Sequence, residues 1–278
     1  MSPDLYCVMG NPVAHSRSPW IHARFAELTG QRLHYVKRQI ELGGFAQALH
    51  AFAQEGGLGC NVTVPFKFEA AALATQTSER ALLAQAANTL SFKEGEILAD
   101  NTDGVGLVDD IEQGAGLDLQ GRRLLLIGAG GAAAGVLGPL ILAHPASVTV
   151  ANRTLDKADS LVQCHAALAM LHNTELLAHD LQGLKGTFDV VINASSSSLG
   201  GAAVPVPGST LKAGALAYDM MYGPAAQGFL TWAHEHGALP RDGLGMLVSQ
   251  AAEAFLIWRG VRPPAQKVLA ELRAVMAQ

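Results

Sequence analysis

At 278 residues, with 49% hydrophobic and 15% charged side chains, the chain is long enough for two domains with substantial cores, which excludes general disorder. A formal net charge of -5 leaves no electrostatic footprint for nucleic acid, and no run of Lys or Arg marks a membrane surface. Cys7, Cys60 and Cys164 are odd in number and lack metal-ligand spacing, so they are expected as reduced core thiols of a cytosolic protein, with no metal bound.

The N-terminal residues Met1-Ser-Pro-Asp-Leu-Tyr6 contain no basic segment before an apolar core, so no secretory signal is expected. Residues 5–9 form a candidate buried strand that stops at Gly10-Asn11-Pro12. His15-Ser16-Arg17-Ser18-Pro19 follows, then an amphipathic stretch with Trp20, Phe25 and Leu28. Ser18 before Pro19 is a good helix start, and taken alone it reads as a cap. Two hydroxyls flanking one residue at the end of a strand can also converge on a small anion.

Residues 33–37 read as a second strand and 44–55 as a helix whose apolar side carries Phe45, Leu49 and Phe52. Residues 59–67 alternate apolar and polar like a half-buried strand, which Pro65 breaks. Lys67 then falls just beyond the strand's carboxyl end, where open α/β sheets place their ligands. A lysine near a helix start with apolar neighbours can exchange its proton near neutral pH. A solvated surface charge is the plainer alternative for a single lysine.

Residues 86–90 open a strand pair, with Lys93-Glu94-Gly95-Glu96 as its hairpin turn. Asp100-Asn101-Thr102-Asp103-Gly104-Val105-Gly106 runs into a helix with Leu107, Val108 and Ile111. Thr102 or Asp103 fits an N-cap, which explains one residue of this polar cluster but not the whole of it.

The apolar run 124–127 ends in Gly128-Ala129-Gly130-Gly131-Ala132-Ala133, where Gly128, Gly130 and Ala133 fill G-x-G-x-x-G/A. Gly128 allows a tight turn, Gly130 lets backbone approach a pyrophosphate with no Cβ in the way, and Ala133 lets the helix lie close on its strand. The free N–H groups and positive dipole end of that helix then face the phosphates. A membrane span competes, because residues 124–143 carry no charge over about twenty positions and Gly131 with Gly135 makes a small-xxx-small pattern. Pro139, the glycines and the following Ser147-Val148-Thr149-Val150-Ala151 favour strand, turn, helix and second strand.

Asn152-Arg153-Thr154 closes that second strand about twenty residues on, where NAD-binding folds carry an acid for the ribose 2′-hydroxyl. An acid would repel a 2′-phosphate, whereas Arg153 can pair with one and Thr154 can donate to it, so NADP is the expected cofactor. Residues 188–194 read as an apolar strand with a polar end and 215–220 as another, while the serines 195–198 read as a loop. Helices are expected over 244–259 and 266–276.

Gly10-Asn-Pro-x-x-His-Ser-x-Ser-Pro19, Asn61-Val-Thr-Val-Pro-Phe-Lys67, Asn88-Thr-Leu90 and Asn101-Thr-Asp-Gly104, in this order ahead of the glycine turn, resemble the shikimate dehydrogenase family. Asp242-Gly-Leu-Gly-Met-Leu-Val-Ser-Gln250 and Phe255-Leu-Ile-Trp-Arg-Gly260 match it too, so the similarity extends over essentially the whole chain. The resemblance implies an α/β fold of two domains. An N-terminal α/β substrate domain completed by C-terminal helices would take residues 1–103 with 241–278, and a Rossmann-like NADP-binding domain residues 104–240, with the active site in the cleft between them.

Site residues follow from the same resemblance. Lys67 and Asp103 match the catalytic pair. Ser16 and Ser18 match hydroxyls that hold the substrate carboxylate, and Thr63, Asn88, Asp103, Tyr222 and Gln250 match residues that hold its ring hydroxyls. Cofactor contacts are implied at Glu79, Gly128, Ala129, Gly130, Gly131, Ala132, Asn152, Arg153, Thr154, Lys157, Met220, Gly243 and Met246. The turn that begins at Asn193 is expected close to the nicotinamide. Tyr222-Gly-Pro224 matches the family's Tyr-x-Pro, although Gln227 stands where a threonine is common.

The implied activity is reversible NADPH-dependent reduction of 3-dehydroshikimate to shikimate in the shikimate (chorismate, aromatic amino acid) pathway, with Lys67, held by Asp103, supplying the proton. The implied partner is the small-molecule substrate, with neither nucleic acid nor membrane; a homodimer is left open, and the expected location is cytoplasmic. A quinate/shikimate dehydrogenase of the same fold that accepts NAD, and a nucleotide-binding sensor without turnover, are the alternatives. The intact Lys67 and Asp103 argue against the sensor.

Overall fold

The computed structural model describes residues 3–195 and 204–277. The chain forms two compact units, Met1–Gly106 with Leu247–Gln278, and Leu107–Met246.

The first unit begins with β1 (Asp4–Gly10), α1 (Ser18–Thr29), β2 (Leu33–Gln39), α2 (Phe45–Gln54) and β3 (Gly57–Val62). The short elements α3 (Lys67–Ala72), β4 (Gln76–Thr77) and α4 (Glu79–Ala84) follow, then β5 (Thr89–Lys93), β6 (Glu96–Asp100) and α5 (Asp103–Asp109). Its sheet has the order β2-β1-β3-β5-β6-β4, with β2, β1 and β3 parallel and β5 antiparallel to both β3 and β6. The turn from β5 to β6 is the expected one, with Glu94 and Gly95 at φ +54° and +84°, the left-handed pair a two-residue hairpin requires.

Packing explains the elements that the apolar pattern marks. Phe45, Leu49 and Phe52 recur at helical spacing on α2 and bury against Cys7, Met9, Cys60, Val62 and Leu90 of the sheet. The alternation over residues 59–62 is not a half-buried strand, however. Gly59, Cys60, Asn61 and Val62 are all buried, because β3 lies inside the sheet between β1 and β5. Ser18 starts α1 as expected but does not cap it: the cap position belongs to Arg17, without a side-chain hydrogen bond, and the Ser18 N–H donates to Ser16 Oγ at 3.2 Å. Thr102 precedes α5, yet its hydroxyl is engaged with Asn88 rather than with the helix's amides.

The second unit carries a π-helical turn (Asp110–Gly114) directly after α5, then β7 (Arg123–Ile127), α6 (Gly131–Leu142), β8 (Ser147–Asn152), α7 (Leu155–Leu171), β9 (Glu175–Asp180) and β10 (Phe188–Asn193). It continues through β11 (Leu211–Asp219), α8 (Gln227–Glu235) and β12 (Leu239–Arg241) into α9 (Leu244–Arg259), and α10 (Ala265–Met276) ends the described chain in the first unit. All six strands are parallel in the order β12-β11-β10-β7-β8-β9. Counted from β7, this is the 3-2-1-4-5-6 order of a dinucleotide-binding sheet. Leu124, Leu125, Leu126, Ile127, Val190, Val191 and Ile192 are buried, as continuous apolar runs in a covered parallel sheet should be.

The glycine-rich stretch therefore resolves as strand, turn and helix. No helix among the described residues is long and apolar enough to cross a membrane. Cys7 and Cys60 are buried core thiols, but Cys164 is exposed on α7, whose inward side is taken by Ala158, Leu161, His165 and Ala169. The serine run is described only at Ser195; Ser196, Ser197 and Ser198 lie outside the described residues.

Candidate active site

In the first unit the chain passes from β1 to β2 on one side and returns to β3 on the other, so the carboxyl ends of β1 and β3 form a switch point where a ligand can enter. Ser16 and Ser18 follow β1; Thr63 and Lys67 follow β3. The two ends are stitched by Thr63 N–H to Met9 O (2.9 Å) and Asn11 N–H to Val64 O (2.9 Å). Gly10 is what permits this closeness, since a Cβ there would stand 2.3 Å from Thr63 Cγ2.

Lys67 opens α3 and Asp103 opens α5, and their side chains meet with Nζ to Oδ2 at 2.5 Å while only 13% and 8% exposed. A charged pair so withdrawn from water must be closely matched to persist. The second oxygen of Asp103 accepts from Asn88 Nδ2 at 2.8 Å, so this carboxylate is held from two sides. Asn88 cannot turn its amide around: its Oδ1 already receives the Thr102 N–H at 2.8 Å and the Thr89 hydroxyl at 2.9 Å. Gln250 reaches the same group from α9, with Asn88 Nδ2 and Thr102 Oγ1 each 3.3 Å from its Oε1. Gly106 makes room for it, because a Cβ there would lie 2.6 Å from the Gln250 backbone nitrogen.

Behind this cluster is a buried layer that the sequence did not mark as functional. Asn61 accepts from the Tyr35 hydroxyl at 2.7 Å and donates to Asn88 O (3.2 Å) and Thr89 Oγ1 (3.1 Å). A lone amide amid the buried side chains of β3 is the signal that could have found it. Tyr35 is stacked on His22, ring centroids 4.3 Å apart, and neither nitrogen of this fully buried imidazole makes a hydrogen bond. Burial holds His22 neutral, lowering its pKa to about 3, a shift the nearby Asn61 amide offsets only in part.

The second unit brings together the glycine turn and the cluster at the end of β8. Gly128 has φ +112°, and a Cβ on it would lie 3.2 Å from the Ala194 carbonyl and the Ser195 nitrogen, so the turn sits at the β7/β10 switch point. At Gly130 a Cβ would meet nothing, which leaves bare backbone at the start of α6, and Ala133 is fully buried against the sheet as expected. Ala129, Gly131 and Ala132 complete this turn. Asn152 Nδ2 donates to Thr154 O at 2.8 Å and shapes the bend after β8, from which Arg153, Thr154 and Lys157 stand exposed. This cradle suits a phosphorylated ribose: open backbone amides, an exposed guanidinium and no carboxylate at the strand's end.

Further along the same edge, Asp219 is fully buried at the end of β11, and its two oxygens accept from Asn193 Nδ2 (3.1 Å) and the Met221 N–H (2.8 Å). Asn193 Oδ1 in turn holds Ser195 through its N–H (3.2 Å) and hydroxyl (2.7 Å). Met220 is thereby fixed between two anchored neighbours, and Gly243 N–H closes onto Met221 O at 2.8 Å. Tyr222 begins the short turn that leads into α8, where Gln227 is exposed and donates to Thr231 Oγ1 at 3.2 Å. Glu79 belongs to the first unit, exposed at the start of α4 behind the capping Ser78.

A dinucleotide-type sheet with its glycine turn at the switch point, next in the chain to an α/β unit holding a buried Lys–Asp pair, defines a two-unit dehydrogenase. Three family descriptions match in chain order: the shikimate dehydrogenase substrate binding domain over residues 8–90, shikimate / quinate 5-dehydrogenase over 110–200, and the shikimate 5'-dehydrogenase C-terminal domain over 243–273. The shikimate dehydrogenase (NADP(+)) of Acidovorax sp. (strain JS42) is 69% identical over 274 residues, covering 99% of this chain and 97% of the relative. Among solved structures, an Ael1 enzyme from Pseudomonas putida superposes with TM-score 0.87 at 44% identity, covering 97% of this chain and 98% of that one. The shikimate 5-dehydrogenase of Thermus thermophilus, in complex with NADP(H) and shikimate, superposes with TM-score 0.84 at 28% identity, covering 98% of this chain and 99% of that one. The chain belongs to the shikimate dehydrogenase family.

Proposed function

We propose that this protein catalyses the reversible NADPH-dependent reduction of 3-dehydroshikimate to shikimate, with Lys67 and Asp103 as its catalytic residues. The observation that carries the reading is the buried Lys67–Asp103 contact at the carboxyl end of the first sheet, beside Asn88 and Gln250. Bound NADPH supplies the hydride. Lys67 supplies the proton to the oxygen that forms on the reduced carbon, and its positive charge stabilises the developing negative charge there. Asp103 keeps the ammonium aimed. In the reverse direction neutral Lys67 takes the hydroxyl proton.

Ser16 and Ser18 would hold the substrate carboxylate, and Thr63, Asn88, Tyr222 and Gln250 its ring hydroxyls, so that residues 1–103 with 241–278 serve mainly the substrate and 104–240 mainly the nucleotide, Tyr222, Gly243 and Met246 being exceptions. Arg153 with Thr154 and Lys157 would hold the 2′-phosphate. Arg153 stands after β8, on one side of the glycine turn, while the ends of β10 and β11 lie on the other. Met220, Gly243 and Met246, on that other side, would hold the nicotinamide half. The free thiols of Cys7, Cys60 and Cys164 suit a reducing compartment, which supports a cytoplasmic location. The decisive experiment follows NADPH formation from shikimate, with quinate and NAD in parallel; shikimate-dependent turnover with NADP is expected. No turnover with purified, folded protein would leave a nucleotide-binding sensor as the better account.

A further inference from the structure

Asp110 is the first residue of the π-helical turn, and its carboxylate is fully buried. It accepts from the Tyr218 hydroxyl at 2.8 Å and from Arg241 through Nε at 2.9 Å and Nη2 at 2.5 Å. Tyr218 and Arg241 are register partners on β11 and β12, so three separate elements converge on one carboxylate. Two glycines make room for it. A Cβ on Gly245 would lie 1.9 Å from Asp110 Oδ1, and one on Gly114 would lie 2.3 Å from Arg241 Nη2 and 2.4 Å from Asp110 Oδ1. The proton chemistry uses none of these residues.

The position of the cluster gives it a task. The Met246 backbone N–H points at the Tyr218 oxygen, and the Gly245 backbone lies against Asp110, so the first turn of α9 rests on the cluster. Just before that turn, a Cβ on Gly243 would stand 2.3 Å from Met220 O, which locks residues 220–221 and 243–246 into one piece. Burial beside Asp110 pushes the Tyr218 phenol well above its usual range, so it stays a hydroxyl donor at working pH. A buried ion pair is an expensive way to gain stability, and π turns are concentrated at functional sites.

We infer that Asp110, Tyr218 and Arg241 are positioning residues that set the height of the Gly243–Met246 turn, and so the attitude of the nicotinamide ring for hydride transfer. This rests on the proposed NADPH reaction and adds to it a seat that acts only on the reactive half of the cofactor.

The test compares the full-length wild type with Tyr218→Phe, which keeps the ring and removes the hydroxyl. NADP binding is measured beside binding of 2′,5′-ADP, which lacks the nicotinamide. The deuterium isotope effect on kcat is measured with NADPH labelled at the transferring carbon. We expect kcat to fall about tenfold or more, the isotope effect to rise, and the KM for 3-dehydroshikimate and the affinity for 2′,5′-ADP to stay within about twofold. Unchanged kcat and isotope effect in the folded variant, or an equal loss of 2′,5′-ADP affinity, would overturn the inference. If Tyr218→Phe does not fold, Arg241→Lys carries the same test, since it keeps the cation and loses the two-pronged contact. Failure of the underlying reading has a different signature: the wild type itself would not turn over.

Discussion

Lys67 shows how a residue with a bland default reading gains a role from its partner. A single lysine after a strand is most often a solvated charge, but this one is mostly buried against a carboxylate that Asn88 holds in place. Lys67→Ala is expected to lower kcat by roughly a hundredfold or more, with smaller loss of shikimate affinity, because the residues proposed to hold the substrate, Ser16, Ser18, Asn88 and Gln250, would remain. Asp103→Asn should also depress kcat, and the double variant should be little worse than the worse single one if the two act as a unit. A Lys67→Ala enzyme with near-normal kcat, or clean additivity in the double variant, would remove the pair from the chemistry. Arg153 makes a separable case. Being exposed at the end of β8, it can be cut to Ala without opening the core, and the NADP KM should then rise strongly while activity with NAD changes little. Equal effects on both cofactors would assign Arg153 to the fold instead.

At the scale of elements, the packing of α1 on β2 carries a pH signature. His22 of α1 lies fully buried against Tyr35 of β2, and its folded pKa is lowered to about 3 from a usual 6.5. As pH falls below about 6.5 the unfolded chain takes up a proton that the folded chain refuses, so stability declines down to about pH 3 and is restored above the window. Replacing His22 by Gln should flatten the acid limb of urea-unfolding curves by about 1.4 kcal/mol per pH unit between pH 4 and 6. Identical slopes in the two proteins would show that His22 does not titrate in this way. The same residue illustrates where sequence reading stops. Runs such as those of β1, β7, β8 and β10 could be read because their middle positions are mostly apolar, and the glycine turn because its chemistry is local. Nothing marked α7, although it has seventeen residues, because, of its inward positions Ala158, Leu161, His165 and Ala169, only Leu161 is a large apolar group, which hides the helical period. Likewise Lys67, Asp103 and Asn88 could be singled out from motifs, whereas the layer of Tyr35, Asn61 and Thr89 behind them exists only through pairing between strands.

At the scale of the whole molecule, the apolar stretch of residues 124–143 is absorbed as β7 and α6 inside the second unit's sheet and its covering layer. The protein should therefore be recovered from lysed cells in the supernatant of a high-speed spin without detergent; recovery only from the membrane pellet would reverse the reading of that stretch. The two units also differ in how the chain supplies them. The second is drawn from one continuous segment, while the first takes its strands from one end of the sequence and Gln250, α10 and most of α9 from the other.

That division has a temporal meaning. Asn88 and Gln250, whose side chains meet at 3.3 Å, are 162 positions apart, and Arg24 of α1 is bound by Glu271 of α10 at 2.6 Å and 2.9 Å. On a ribosome the nucleotide-type sheet can be complete while the first sheet still waits for its last helices. A chain halted before residue 247 would hold a finished nucleotide-type sheet while Asn88 still lacked Gln250 and Arg24 still lacked Glu271. A first unit with both contacts made has thus been translated at least as far as Glu271, so the finished packing of that unit records how far synthesis has run.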